Sequence, residues 1–483
     1  MEHPDPNVSP DPLVCPSIQS ERTALGSTPA SPHSRHSQPK PTRLNDKTKI
    51  PDSNATIVEK SVPSPKIPFS HTILDPSISH ERNAFVKMIV MGVAVTSIAI
   101  FAFLSIYWGS IWKLPQYANK LEGIVVDFDQ DVIGQAVITA FKQNTGQSTQ
   151  LTWTIVDASK YNTPEGVIDA ILAQEYWAAI VVNRGASANL QQAVTRQDAN
   201  YNGSLAVNVY GCGARDDNAY SAFILPSIDT GMRNAQTAFA SSHARSQADA
   251  AAVGALMRAA PQTITRPLRY VMNDLRPFDV PVAQAVVFVG LIYLLIISFI
   301  LTLLNFNARM TSGLYSKLDF RSLIIVRVAT SFFMFFWLSW VYALISLAFK
   351  VPFSRYYGRG GFLIYWAMSF LGMSALGLAV EALITILTPR FIPYFLVLWL
   401  ITNISVSSYP IEMLPGVFRY GYATPFYNLS QTFRTIIFNT KDELGLNFGV
   451  QVAWIALSLT TLILFQFYNR RKEQINMRKS NPA

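Results

Sequence analysis

Six blocks of apolar residues, each about twenty long or more, punctuate this chain, and a block of that length is what a helix needs to cross a bilayer. They lie at residues 85–108, 282–306, 323–349, 361–388, 391–408 and 449–468. The spacer between the fourth and fifth is Pro389 and Arg390, so those two are expected to form a tight hairpin. The fifth is short and holds Asn403, Ser405, Ser407 and Ser408, which also fits a broken or re-entrant helix. Only 14% of the 483 residues are charged, against about 25% in a soluble domain. The expected fold is therefore a membrane α-helical bundle of about six spans.

The formal net charge is +9. The excess sits in the N-terminal tail and beside the spans, which suits an anionic lipid face. No basic-aromatic strip or known binding module speaks for nucleic acid. Residues 1–83 are rich in Ser, Pro, Thr and charge. Such a segment cannot bury enough surface to offset its ordering entropy, so it reads as a disordered tail. Its Ser-Pro pairs at Ser9, Ser31 and Ser64 are candidate phosphorylation sites. The N-terminus is polar, so no cleavable signal peptide is expected and the first span serves as the anchor. Cys15 and Cys212 fall in different segments, which argues against a disulfide.

Residues 111–279 have another texture. LEGIVVDFDQD, LTWTIVDAS, WAAIVVN and SLAVNVYG read as strands, and VIGQAVITAFKQN, EGVIDAILAQEY and residues 232–260 as helices. Strands alternating with helices predict an inserted α/β or α+β domain, large enough for its own core. Residues 410–438, broken by Pro and Gly and rich in aromatics, read as short helices lying at the outer membrane interface. Residues 469–483 read as a basic tail. Orientation follows from Lys and Arg in the short loops. Arg82, Lys87, Arg309, Lys317, Arg321, Arg390 and the cluster from Arg470 to Lys479 share one side, which is placed in the cytosol. Both termini are then cytosolic and the inserted domain is extracytoplasmic. Asn202 and Asn428 head glycosylation triplets on that outer side.

Two constellations can carry chemistry. Asp127, Asp129 and Asp131 form an acidic turn after the first strand. The EF-hand pattern fails there, because Val132 and Ile138 occupy the positions that need Gly and Glu. Helix capping is the simpler role. Arg327 and Glu381 lie inside spans three and four at similar depth from one side, about two turns in at 1.5 Å per residue. Charges there are costly and mark function or a structural clasp. The alternative is that Arg327 snorkels and Glu381 sits neutral in the bundle. No P-loop, nucleophile elbow or metal-ligand cluster is present, so no enzyme, cofactor or metal is expected.

The opening LEGIVVDFDQDVIGQAV, with Val126, Asp127, Asp129 and Gly134, resembles the start found in the bacterial phage-infection-protein (YhgE/Pip) group of ABC-2-type permeases. With EYWAAIVVN from Glu175 to Asn183 and the stretch MLPGVFRYGYATPFYNLSQTFRTIIF, residues 85–468 look closer to the fungal nitrosoguanidine-resistance membrane proteins, a domain-of-unknown-function family. That resemblance implies a plasma-membrane or secretory-pathway protein linked to drug resistance. Export or redistribution of an amphipathic compound or lipid is the expected function. The other reading is a non-transporting scaffold or sensor with a ligand-binding ectodomain. Membrane lipids, a second copy of the chain and a separate ATPase are the expected partners.

Overall fold

The computed structural model describes residues 72–247 and 250–480. The expectations for residues 1–71, including most of the tail, its Ser-Pro pairs and Cys15, lie outside that range. Helix α1, Ser79–Ile111, starts earlier than expected and takes in residues 79–83, which had been assigned to the tail. Its 33 residues extend about 50 Å. Its apolar window is wholly unburied by protein, as suits a helix bathed in lipid.

The inserted segment builds one five-stranded sheet. In chain order its elements are β1 (Glu122–Asp127), α2 (Val132–Asn144), β2 (Thr152–Val156), α3 (Pro164–Leu172), β3 (Ala178–Val182) and α4 (Ala186–Arg196). They continue as β4 (Val207–Gly211), α5 (Leu225–Ser246), α6 (Ala250–Ala259) and β5 (Tyr270–Asp274). The strand order is β2-β1-β3-β4-β5. All neighbours are parallel except β3 and β4. The central β1 and β3 are covered on both faces, which is why they read as unbroken apolar runs rather than alternating ones. Strand β5 escaped the sequence reading because YVMND lacks such a run. The single helix expected at residues 232–260 is instead α5 followed by α6.

Among the described residues, five helices are long and apolar enough to cross a membrane, against the six spans expected. After α1 they are α7 (Gly290–Thr311, entered through a π-helical turn at Ala285–Val289), α8 (Phe320–Ala348), α9 (Gly360–Ile404) and, beyond α10 (Pro425–Phe438), α11 (Leu444–Ser480). The difference is α9, which merges the expected fourth and fifth spans. It is not straight. Thr388 takes φ 61° and ψ 162°, and Pro389 follows it without an N–H to offer. The Tyr365 and Phe433 rings meet at 4.7 Å, while Asn403 Oδ1 accepts the Phe426 N–H at 3.2 Å. A straight helix would hold residues 365 and 403 about 57 Å apart, whereas α10 is only about 20 Å long. The chain therefore doubles back at Thr388.

The segment at 410–438 corrects the interfacial expectation. Phe426, Leu429, Phe433, Ile436 and Ile437 of α10 are fully buried. Asn428, Ser430, Thr432, Arg434 and Thr435 are buried with them, so protein encloses α10 on nearly every side, and it packs among α9, α11 and the π-helical turn before α7. Val406, Met413, Leu414 and Phe418, just before it, join the core of the sheet domain. The residues read as a basic tail continue α11 as helix through Ser480.

Gly134 near the start of α2 shows how tightly the first strand–helix turn is built. A Cβ there would lie 2.0 Å from Asp127 Oδ2. Gly134→Ala must displace that carboxylate, and a loss of about 1–3 kcal/mol is expected, read as a lower melting temperature in detergent.

Candidate functional site

Residues from four helices meet at the end of the bundle far from the sheet. On α7, Ser298, Thr302, Asn305 and Arg309 fall on one face and are all buried. On α8, Arg327, Ser331, Phe335, Ser339 and Ala343 repeat every fourth residue and are buried likewise. Asn305 Nδ2 donates to Ser331 Oγ at 3.1 Å, and Thr330 Oγ1 donates to Asn305 Oδ1 at 3.0 Å, stitching these two polar faces together.

The stripes lead to Glu381 on α9, which is fully buried. Its Oε1 accepts Arg327 Nε at 2.8 Å and Arg309 Nη2 at 2.7 Å. The other nitrogens of Arg327 are bonded as well. Nη1 donates to Gln466 Oε1 of α11 at 2.6 Å, and Nη2 donates to the Glu381 carbonyl at 2.6 Å and to Thr385 Oγ1 at 2.9 Å. The structure thus brings Arg327 and Glu381 together and adds a second arginine. Arg309 had been assigned to the surface loop, but it is only 4% exposed. Its signal was the polar face shared with Ser298, Thr302 and Asn305. A cavity of about 190 Å³ lies beside the cluster, lined by Arg309, Arg327, Thr385, Thr388 and Gln466 among others.

A second charged junction holds the sheet domain on the bundle. Arg434 of α10 donates to Asp217 Oδ1 at 2.7 Å and to the Ala214 carbonyl at 2.9 Å. Beside it a cavity of about 60 Å³ is lined by Arg215, Asp216, Glu412 and Tyr427. The Arg215 guanidinium lies 3.5 Å over the Trp177 ring and donates to the Tyr176 carbonyl at 3.0 Å. Asp216 accepts the Ala219 N–H at 2.8 Å. Desolvation pushes the Asp216 carboxyl from its ordinary 3.8 to about 7, with Arg434 opposing and the charges of Asp217 and Glu412 adding. Burial likewise raises the Cys212 thiol to about 11, so it is no reactive thiolate.

The acidic turn is a set of caps. Asp127 Oδ1 accepts the N–H groups of Asp129 and Gln130, at 2.9 and 3.0 Å. Asp129 accepts both the N–H and the hydroxyl of Ser187, at the start of α4. Asp131 accepts the Val132 N–H at 2.7 Å and caps α2. Desolvation raises the Asp127 carboxyl above its ordinary range despite those two N–H donors. Asn202 is exposed and caps a short turn through Ser204. Asn428 is a correction. It is 1% exposed and donates to the Tyr422 and Thr424 carbonyls, so the fold closes it to glycosylation.

Residues 92–460 match the family described as "Protein of unknown function (DUF3533)". The chain is 25% identical over 466 residues to the uncharacterized endoplasmic reticulum membrane protein YJR015W of Saccharomyces cerevisiae, covering 89% of this chain and 88% of that one. No solved structure matches. These findings support a multi-pass membrane family of unknown function and do not extend to ABC-2 permeases.

Two outcomes are expected. Glu381→Ala leaves two arginines buried without their shared anion, and should cost about 3–5 kcal/mol, measured by thermal unfolding in detergent. Asp216 is protonated in the fold when it would be ionised in the unfolded chain, so the folded state holds the extra proton between pH 3.8 and about 7. Its contribution to stability falls as pH rises through that window and is flat above it. Melting curves across the window should therefore show Asp216→Asn gaining on wild type as pH increases.

Proposed function

The chain belongs to the DUF3533 family, and from that premise we propose that it exports or redistributes an amphipathic compound or lipid through its helical bundle. The observation that carries this reading is the Arg309–Glu381–Arg327 cluster, buried at one end of the bundle beside a cavity. Charge placed among spans is costly, and it is kept where a path for polar cargo needs it. The broken helix α9 forms part of the same cavity wall, through Thr388 and Pro389. A contribution to toxicant resistance would follow from such movement. The reading is non-enzymatic. It takes membrane lipids as surroundings, a second copy of the chain to complete a path, and either a separate ATPase or a gradient acting at Glu381 as the drive.

A specific observation favours a second reading, a sensor. The sheet domain shares core residues with the segment leading into α10, and Arg434 ties it to the bundle. A ligand bound to that domain would be felt by the spans.

We place the termini in the cytosol and the sheet domain on the opposite side of a secretory-pathway membrane. The yeast relative is an endoplasmic reticulum membrane protein, which supports an internal membrane over the plasma membrane. On this orientation, endoglycosidase treatment should shift the protein's gel mobility. Asn202→Gln should abolish the shift and Asn428→Gln should leave it.

The function is tested by accumulation of a fluorescent phospholipid and of a labelled cationic drug in cells lacking the protein. Wild type, Glu381→Gln and Arg327→Gln are restored at matched membrane levels. Probe distribution corrected by wild type and not by the two variants is expected. Distribution unchanged for every probe, with toxicant sensitivity still altered, would sink transport and favour the sensor.

A further inference from the structure

The cluster at Glu381 carries more positive charge than it neutralises. Two guanidinium groups, those of Arg309 and Arg327, share one carboxylate oxygen. Arg327 uses every nitrogen, whereas Arg309 reaches Glu381 through Nη2 and its Nη1 is buried without a hydrogen-bond partner. Gln466 is also fully buried. Its Oε1 is fixed as the acceptor of Arg327 Nη1, which fixes Nε2 as a donor, and that nitrogen makes no well-aligned hydrogen bond, with the Tyr315 hydroxyl, which already donates to Glu473, as the protein acceptor within reach. Both residues line the cavity of about 190 Å³. Glu381 Oε2 is the one acceptor of the cluster in the same position, on the carboxylate the arginines already grip.

The rim of the cavity does not cancel the surplus. Glu473 lies there, but its Oε1 accepts the Tyr315 hydroxyl at 2.8 Å. Arg470 stands beside it, with its guanidinium 5.0 Å from the Tyr315 ring centre and a bond to the Leu318 carbonyl. Rim and cluster together hold three cations and two anions. Phe306, Met310 and Ile384 complete the lining with apolar surface, and Met310 is 48% exposed at the outside of the bundle.

A buried guanidinium nitrogen and a buried amide facing one cavity are costly unless an acceptor meets them. A guanidinium matches the oxygens of a phosphate, and charge-assisted bonds of this kind are the strong ones. We propose that this cavity binds a phosphate group, with Arg309 Nη1 and Gln466 Nε2 as its donors. The apolar lining and the open side at Met310 suit the acyl chains of an anionic phospholipid. This deepens the function proposed above, naming the headgroup its path would take.

The test uses the purified full chain in detergent and isothermal titration with three probes: dioctanoyl phosphatidic acid, dioctanoyl phosphatidylcholine and inorganic phosphate. Saturable binding of phosphatidic acid, tighter than of phosphatidylcholine, is expected. Arg309→Gln should weaken it at least about tenfold, the loss of one charge-assisted bond. Gln466→Glu is the second variant. It keeps an acceptor for Arg327, and therefore the fold, but replaces the donor with a carboxylate, so it should weaken binding as well. Displacement of phosphatidic acid by inorganic phosphate would support a site for the phosphate group alone. Binding that phosphate cannot displace would support a lipid headgroup. The proposal is overturned if wild type binds nothing saturably, if the two lipids bind alike, or if both variants bind as wild type does. Should binding fail while cells still redistribute probes through Glu381, this site falls and the transport reading stands. Should binding hold while redistribution is unchanged, the site stands and transport falls.

Discussion

Inside the bundle a single carboxylate oxygen, on Glu381, holds two guanidinium groups from two other helices. Removing three charges from water is expensive, and the cost is recovered only where geometry is good and the remaining donors are met. Arg327 meets that condition through Gln466, Thr385 and the Glu381 backbone. Four helices therefore have one register relative to one another. Sliding any of them by a turn would leave a buried charge uncovered. The polar faces of α7 and α8 run up to this point, and their Asn305–Ser331 bond belongs to the same constraint.

The reversal of α9 serves that arrangement. Glu381 lies seven residues before Thr388, about 10 Å along the helix, so the cluster sits just inside the turn. Folding back returns Trp399 to the half of the bundle nearer the sheet, where its ring lies 5.0 Å from that of Trp454. There α10 fills the space between the returning strand of helix and the sheet domain. Its apolar side chains join the bundle core, while Arg434 reaches across to Asp217. This buried helix, with Val406, Met413, Leu414 and Phe418 just before it, couples the charged end of the bundle, through α9, to the sheet.

Much of this was legible in the residues. The runs at β1 and β3, the apolar blocks and the intramembrane Arg327 and Glu381 are local patterns, set by side-chain chemistry and period. Arg309 was harder. It stands at the end of an apolar block, where a cation ordinarily reaches for headgroups, and only the face it shares with Ser298, Thr302 and Asn305 hinted that it turns inward. The segment at 410–438 misled for a comparable reason. Aromatics with Pro and Gly suit an interface and a packed junction equally, and composition does not say which surface will cover them.

By its own patterns, then, the sequence indicated that the chain enters a membrane, that a strand-and-helix domain interrupts its spans, and that Arg327 and Glu381 lie within them. Those properties follow from transfer energies and helical or strand period, which act residue by residue. The tertiary structure decided the rest: that α10 is buried, that Asn428 is sealed, and that Arg309 shares Glu381 with Arg327. Each of these depends on which surface meets which across long stretches of chain, and pairing of that kind is a property of packing that no local pattern contains.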